Sequence, residues 1–174
     1  NKNLISFFTF FQVKVIVFLS LLLTYFSPVI LNAHNHLSKN IYISKELIPL
    51  LDLLKRKGFK TKFEIPPKKG VYGLFHSKSK TLWISPITFE LGIARQTILH
   101  EATHAAQSCP SGELTTIGFK LPLSPFIKNE IHVNLIKNYK YNQYLIEEEA
   151  FSLQGNKNGI NLLMKALSQR CNDI

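Results

Sequence analysis

Ile98-Leu99-His100-Glu101-Ala102-Thr103-His104-Ala105-Ala106 is the stretch of this 174-residue chain on which the rest of its reading turns. Ile98, Leu99, Ala102, Ala105 and Ala106 recur at helical spacing, so the segment from about Phe89 to Gln107 is expected to be a helix with an apolar stripe against a core. His100 and His104 stand four residues apart, which stacks their imidazoles on one face of that helix, where both can reach a single ion. Glu101 is rotated by about 100° from His100. That places it beside such an ion, where it can take a proton from water.

Chance is a poor explanation for this pattern. With the composition of this chain, a random sequence of the same length would contain His-Glu-x-x-His about 0.01 times. A purely structural role for the two histidines is weakened as well, because the apolar stripe is complete without them.

A catalytic zinc site needs a third protein ligand and an open fourth position. The extended motif of the metzincin type would place glycine at position 107 and histidine at position 110, where this chain has Gln107 and Pro110. A glutamate on a second helix is the other common solution. Glu147-Glu148-Glu149 is the only acidic cluster downstream.

At these residues the chain resembles the gluzincins, zincin metallopeptidases in which the His-Glu-x-x-His helix is followed by a second helix bearing Glu-x-x-Ala. The match is Glu147-Glu148-Glu149-Ala150. The resemblance implies an α+β, zincin-like domain that binds Zn2+ through His100, His104 and Glu147. It implies Glu101 as the catalytic base, with Glu149 as the alternative third ligand. It also implies that the strand Thr81 to Ile84 lies over the cleft and holds an extended peptide or protein substrate. Zinc lowers the pKa of its water to about 7, and Glu101 then passes the abstracted proton to the leaving amine. Phe151 stands where an acidic or amide residue often follows the alanine, which leaves the outer partners of His100 and His104 without a candidate. His132, Tyr139, Tyr141 and Tyr144 lie in the intervening segment, and none is assigned as an oxyanion donor. The competing expectation is a catalytically inactive zincin-like domain that binds a partner at the cell surface or membrane.

Working outward, Leu47, Leu50, Leu51 and Leu54 mark a packing helix capped at Ser44 and ended by Gly58. Phe59, Thr61, Phe63 and Ile65 alternate with charged residues as in a half-buried strand, stopped by Pro66-Pro67. Val71 to His76 and Thr81 to Ile84 read as two more strands, giving a small antiparallel sheet of about three strands packed on the motif helix. Trp83, Phe75 and Tyr72 are candidates to line a groove, although aromatic residues in strands usually belong to the core. Ser108 to Pro125 reads as a loop. A helical C-terminal part follows, with helices from about Phe126 to Asn138, Tyr141 to Gln154 and Ile160 to Arg170.

Residues 1–33 read as a targeting segment. Lys2 and Lys14 precede the apolar run Val15 to Leu31, and Leu31-Asn32-Ala33 resembles a cleavage site. The alternative is a retained membrane anchor. Residues 34–174 are then a single monomeric domain in an exported compartment, periplasmic or secreted. His34-Asn35-His36 would lie at the new terminus, where a disordered linker outweighs copper or nickel chelation. Cys109 and Cys171, both past the targeting segment, are an even count that permits one disulfide. The net charge is +10, and nine of the cations fall between Lys55 and Lys80 against Glu64 alone. This stretch is either a solvated face or a contact with an anionic membrane or cell-wall surface. Nucleic acid is not expected as a partner, because no recognition motif accompanies the charge.

Overall fold

The computed structural model describes residues 41–136 and 141–172, and those from Tyr42 onward belong to one compact unit. Residues 1–33, the candidate chelating terminus His34-Asn35-His36 and Tyr139 lie outside the described residues. Among the described residues, no helix is long and apolar enough to cross a membrane.

The chain enters through a 3-10 turn, Lys45–Leu47, and continues into α1, Ile48–Arg56. Ser44 precedes the turn without a side-chain capping bond, so the expected Ser44 cap is not made. Pro49 occupies the first turn of α1, where a missing N–H costs nothing. Of the positions picked out by spacing, Leu47, Leu50 and Leu54 are buried, each worth about 1.5–3 kcal/mol, while Leu51 is only half-buried and Leu53 is buried in its stead.

Three short strands follow: β1 (Lys60–Lys62), β2 (Gly73–His76) and β3 (Thr81–Ile84). Their order is β1-β3-β2. β2 and β3 form the expected antiparallel hairpin, in register Gly73 with Ile84 and His76 with Thr81. β1, however, runs parallel to β3, with Lys60 opposite Thr81 and Lys62 opposite Trp83. The sheet is therefore mixed, which corrects the antiparallel expectation. The eighteen residues between Lys62 and Thr81 are long enough to carry the chain across, so adjacency in sequence does not become adjacency in space. The regular alternation also ends early. Phe59 is buried, but Ile65 is 72% exposed because Pro66-Pro67 lies outside the ladder.

β3 is central and its Leu82 and Ile84 are fully buried. Next come α2 (Ile87–Glu90) and α3 (Ala94–Gln107). The expected single helix from Phe89 is broken at Gly92, whose φ of 68° is left-handed backbone that a helix cannot contain. α3 packs against β2 and β3 and against two later helices, α5 (Tyr141–Gln154) and α6 (Gly159–Arg170); α4 (Pro125–Ile136) packs on α5. α4 starts as read, with Pro125 in its first turn and the Ser124 hydroxyl accepting from Ile127 N–H at 3.3 Å. The whole is a mixed α+β arrangement, with six α-helices and a small three-stranded sheet among the described residues.

The core runs through α3. Ile98, Leu99, Ala102, Ala105 and Ala106 are fully buried, joined by Leu163, Ala166 and Leu167 of α6. The C-terminal end of α3 is tied to the end of α6 by a Cys109–Cys171 disulfide. Beside it the Arg170 guanidinium donates to the Ala106 and Cys109 carbonyls at 3.2 and 3.1 Å. The bridge closes a span of 62 residues. A crosslink over a loop of that length restricts the unfolded chain by about 4 kcal/mol. Replacing both cysteines by serine should lower the unfolding free energy by about that amount, read from urea denaturation of the two proteins.

Candidate metal centre

Because α3 is covered by the sheet and by α5 and α6, its polar residues must find partners inside the protein. From Ile98 to Gln107 every residue is buried except His100, which is half-buried. The structure brings together the three residues named from the sequence as ligands. His100 Nε2 and His104 Nε2 are 3.1 Å apart, as expected for positions four apart on one helix face. Glu147, on α5, places Oε2 at 3.2 Å from the first and 3.5 Å from the second. Two imidazoles and a carboxylate converging in this way could hold a metal ion.

Glu149 is not at this point. A separation of two residues on a helix turns it by about 200° from Glu147. Its buried carboxylate instead accepts from the backbone N–H groups of Ile117, Gly118 and Phe119 at 2.7, 2.7 and 2.8 Å. Gln107 Nε2 donates to it as well, at 2.9 Å.

The outer imidazole nitrogens are both engaged. His104 Nδ1 lies 2.8 Å from Gln107 Oε1, and His100 Nδ1 lies 3.0 Å from Gln154 Oε1. Phe151 meets the His100 ring edge-on, with centroids 4.8 Å apart, and so supports it by packing. Neither glutamine is among the candidates that the motif comparison supplies, since it points to an acidic or amide residue after Ala150. The signal was present in the spacing: Gln107 is one turn past His104, and Gln154 is two turns past Glu147 on the same face of α5.

Glu101 is 6% exposed and lies under β2. The Phe75 backbone N–H donates to its carboxylate. Burial is the main influence on this group and raises its pKa; the His100 and His104 charges act against that, and the Glu147 charge acts with it. Gly73 is the place where β2 makes room. A Cβ there would run into the Glu101 Oε1 atom and stand 2.8 Å from both Glu101 Cγ and Thr97 Cγ2.

For His104, burial disfavours the imidazolium, but the hydrogen bond and charge of Glu147 outweigh it and raise the pKa above 6.5. For Glu147, burial alone would raise the pKa. Its hydrogen bonds to both imidazoles and their charges prevail and hold it well below the ordinary 4.5.

These groups sit at the floor of a cleft of about 680 Å³. Val71, Leu74 and Phe75 form one part of its lining, and Leu114, Ile127, Ile131 and Phe151 form another, with Lys68 the one cation among the lining residues. Of the three candidate groove aromatics, Phe75 lines the cleft, whereas Tyr72 and Trp83 do not. The strand at the cleft is β2, the sheet edge, and not Thr81–Ile84, which is paired on both sides. Tyr144 is half-buried on α5 and does not line the cleft; the side chains of His132 and Tyr141 lie outside the described residues. No protein-family model, curated protein or solved structure matches this chain.

Two measurements follow from this geometry. Gly73→Ala should destabilise the protein by about 1–3 kcal/mol, since the added methyl overpacks a fixed carboxylate, and chemical denaturation reads this directly. A metal must displace the proton from His104, whose pKa in the metal-free protein lies above 6.5. Zinc affinity, measured by competition with a chromogenic chelator, should therefore begin to fall above pH 6.5 as the solution is acidified. In the metal-free protein the linkage has two sides. The stability that His104 gains from Glu147 is present at low pH and is lost as pH rises through the raised pKa. That carried by Glu147 is present above about 4.5 and is lost on acidification.

Proposed function

We propose that this chain is a zinc-dependent hydrolase of the gluzincin kind, a metallopeptidase cleaving peptide bonds in a peptide or protein substrate. The observation that carries the proposal is the meeting of His100, His104 and Glu147 from two helices, with the buried Glu101 carboxylate beside them beneath an open sheet edge. Donors bound tetrahedrally to Zn2+ at 2.0–2.1 Å stand roughly 3.3 Å from one another. The separations of 3.1, 3.2 and 3.5 Å among the three donor atoms suit that ion. Three protein ligands also leave the fourth position that catalytic zinc sites keep open.

Held by these residues, Zn2+ supplies Lewis acidity, which lowers the pKa of water to about 7 and polarises a carbonyl. The remaining work belongs to the chain. Glu101, with its pKa raised by burial, is better matched to taking a proton from water near neutral pH and handing it to the leaving amine. The Phe75 N–H fixes the Glu101 carboxylate. Along β2, backbone groups alternate between β3 and the open side, so Gly73 and the Phe75 carbonyl face the open edge, while the Phe75 N–H is taken by Glu101. An extended peptide can add there as a further strand. Val71, Leu114 and Phe151 give the cleft apolar walls against which substrate side chains can pack.

The same proposal places residues 34–174 as one monomeric zincin-like domain in an exported compartment, periplasmic or secreted, behind a signal peptide or membrane anchor at 1–33. The Cys109–Cys171 bridge supports this, since disulfides persist in oxidising surroundings. The exposed lysines between Lys55 and Lys80 would then face an anionic membrane or cell-wall surface.

Purified protein should contain about one zinc per chain and hydrolyse peptides. Glu101→Gln should keep the metal and lose activity by about 10²–10⁴-fold. His100→Ala should lose the metal. Wild-type protein that binds no zinc would sink the proposal; zinc without hydrolysis would leave a binding domain in place of an enzyme.

A further inference from the structure

Gln107 and Glu149 are buried polar residues outside the ligand set, and the mechanism above does not use them. Gln107 is 0% exposed, so water cannot satisfy it. Its amide nitrogen has two hydrogens, and both are taken: one by the Ile146 carbonyl at 2.9 Å and one by Glu149 Oε2 at 2.9 Å. Turning the amide over would set its oxygen against a carbonyl and a carboxylate, three acceptors with no proton among them. The amide therefore has one allowed orientation, with Oε1 toward His104 Nδ1 at 2.8 Å.

That orientation constrains the imidazole. An amide oxygen only accepts, so His104 Nδ1 must carry the proton, and in the neutral ring Nε2 is left with its lone pair facing Glu147 and His100. The anchor of this arrangement is Glu149. Its Oε1 accepts from Gly118 and Phe119 N–H, and its Oε2 accepts from Ile117 N–H and Gln107. Four donors thus meet two carboxylate oxygens. A neutral amide in its place would offer one oxygen and two further donors, and could not satisfy the set.

We infer that Gln107 and Glu149 are positioning residues that hold His104 in the single neutral tautomer able to bind a metal through Nε2. They also tie that histidine to the segment 115–119, which follows Leu114 of the cleft lining. The Arg170 guanidinium holds the same segment from α6, donating to the Thr115 hydroxyl at 2.8 Å and the Thr116 carbonyl at 3.3 Å. Thr115 N–H in turn donates to the Gln107 backbone carbonyl at 3.0 Å. His104 and the segment next to Leu114 therefore share a buried anchor. The purpose of the device rests on the metal-site proposal, but its geometry does not.

The test uses the full chain without metal, at a pH above the His104 titration. Two-bond 15N–1H correlation spectra of the imidazoles should show wild-type His104 as the pure Nδ1–H tautomer. Gln107→Met removes the amide but leaves Glu149 its three backbone donors. It should give mixed His104 tautomers and zinc affinity weaker by about 10–100-fold, while amides 117–119 keep their protection from hydrogen exchange. Glu149→Gln, if folded, should lose both the single tautomer and that protection. Arg170→Gln serves as a structural control that should loosen the segment without changing the tautomer. A wild-type His104 protonated at Nε2 when neutral, or a single Nδ1–H tautomer in Gln107→Met with undiminished zinc affinity, would overturn the inference. A wild-type protein that binds no zinc, yet shows the Nδ1–H tautomer and loses it in Gln107→Met, would remove the metal reading and uphold this one.

Discussion

The constraint on which the structure depends is the burial of a helix that carries polar chemistry. α3 lies between the sheet and two helices, and its solvent-shielded stretch includes Glu101, His104 and Gln107 beside Ile98, Leu99 and three alanines. Burying a polar group costs several kcal/mol unless a partner is supplied, so the surroundings of α3 are set by what these side chains require. α5 answers with Glu147, Glu149 and Gln154, and β2 answers with the Phe75 N–H. Among the described residues, no buried side-chain nitrogen or oxygen is left without a partner.

The small residues of α3 make this possible. Ala102, Ala105 and Ala106 are fully buried, and so is Ala150 on α5, so the helices can approach until carboxylate and imidazole meet. On the sheet side the corresponding concession is Gly73, which gives up its Cβ to the Glu101 carboxylate. The absence of that Cβ lets the open strand edge lie directly against the buried carboxylate. Under the proposed function it places the base, the metal ligands and the substrate-binding edge within one cleft.

The C-terminal helix has a different task. Its Leu163, Ala166 and Leu167 complete the core, and its end is held by the disulfide and by Arg170. Through Arg170 and Glu149 the segment 115–119 is gripped from two helices, although it has no regular structure of its own. Its backbone N–H groups obtain from a carboxylate the partners that a strand would have obtained from a neighbour.

The sequence by itself determined the elements whose signal is local. The motif helix, its apolar stripe and the stacking of His100 over His104 follow from 3.6-residue periodicity, as do the bounds of α5 and the burial of Leu47, Leu50 and Leu54. The β2–β3 hairpin was legible because its turn is short. What only the tertiary structure decided is everything that depends on residues far apart in the chain. β1 joined β3 in parallel, leaving β2 as the edge, because a long connection frees the chain to cross over. Of three adjacent glutamates, Glu147 met the histidines and Glu149 turned to the 117–119 backbone, a choice fixed by the rotation of α5 against α3. Gln154 became the outer partner of His100 for the same reason, whereas Gln107 reaches His104 from one turn further along α3 itself. Spacing puts each glutamine on the right helix face, but only burial in the folded protein makes its hydrogen bonds obligatory.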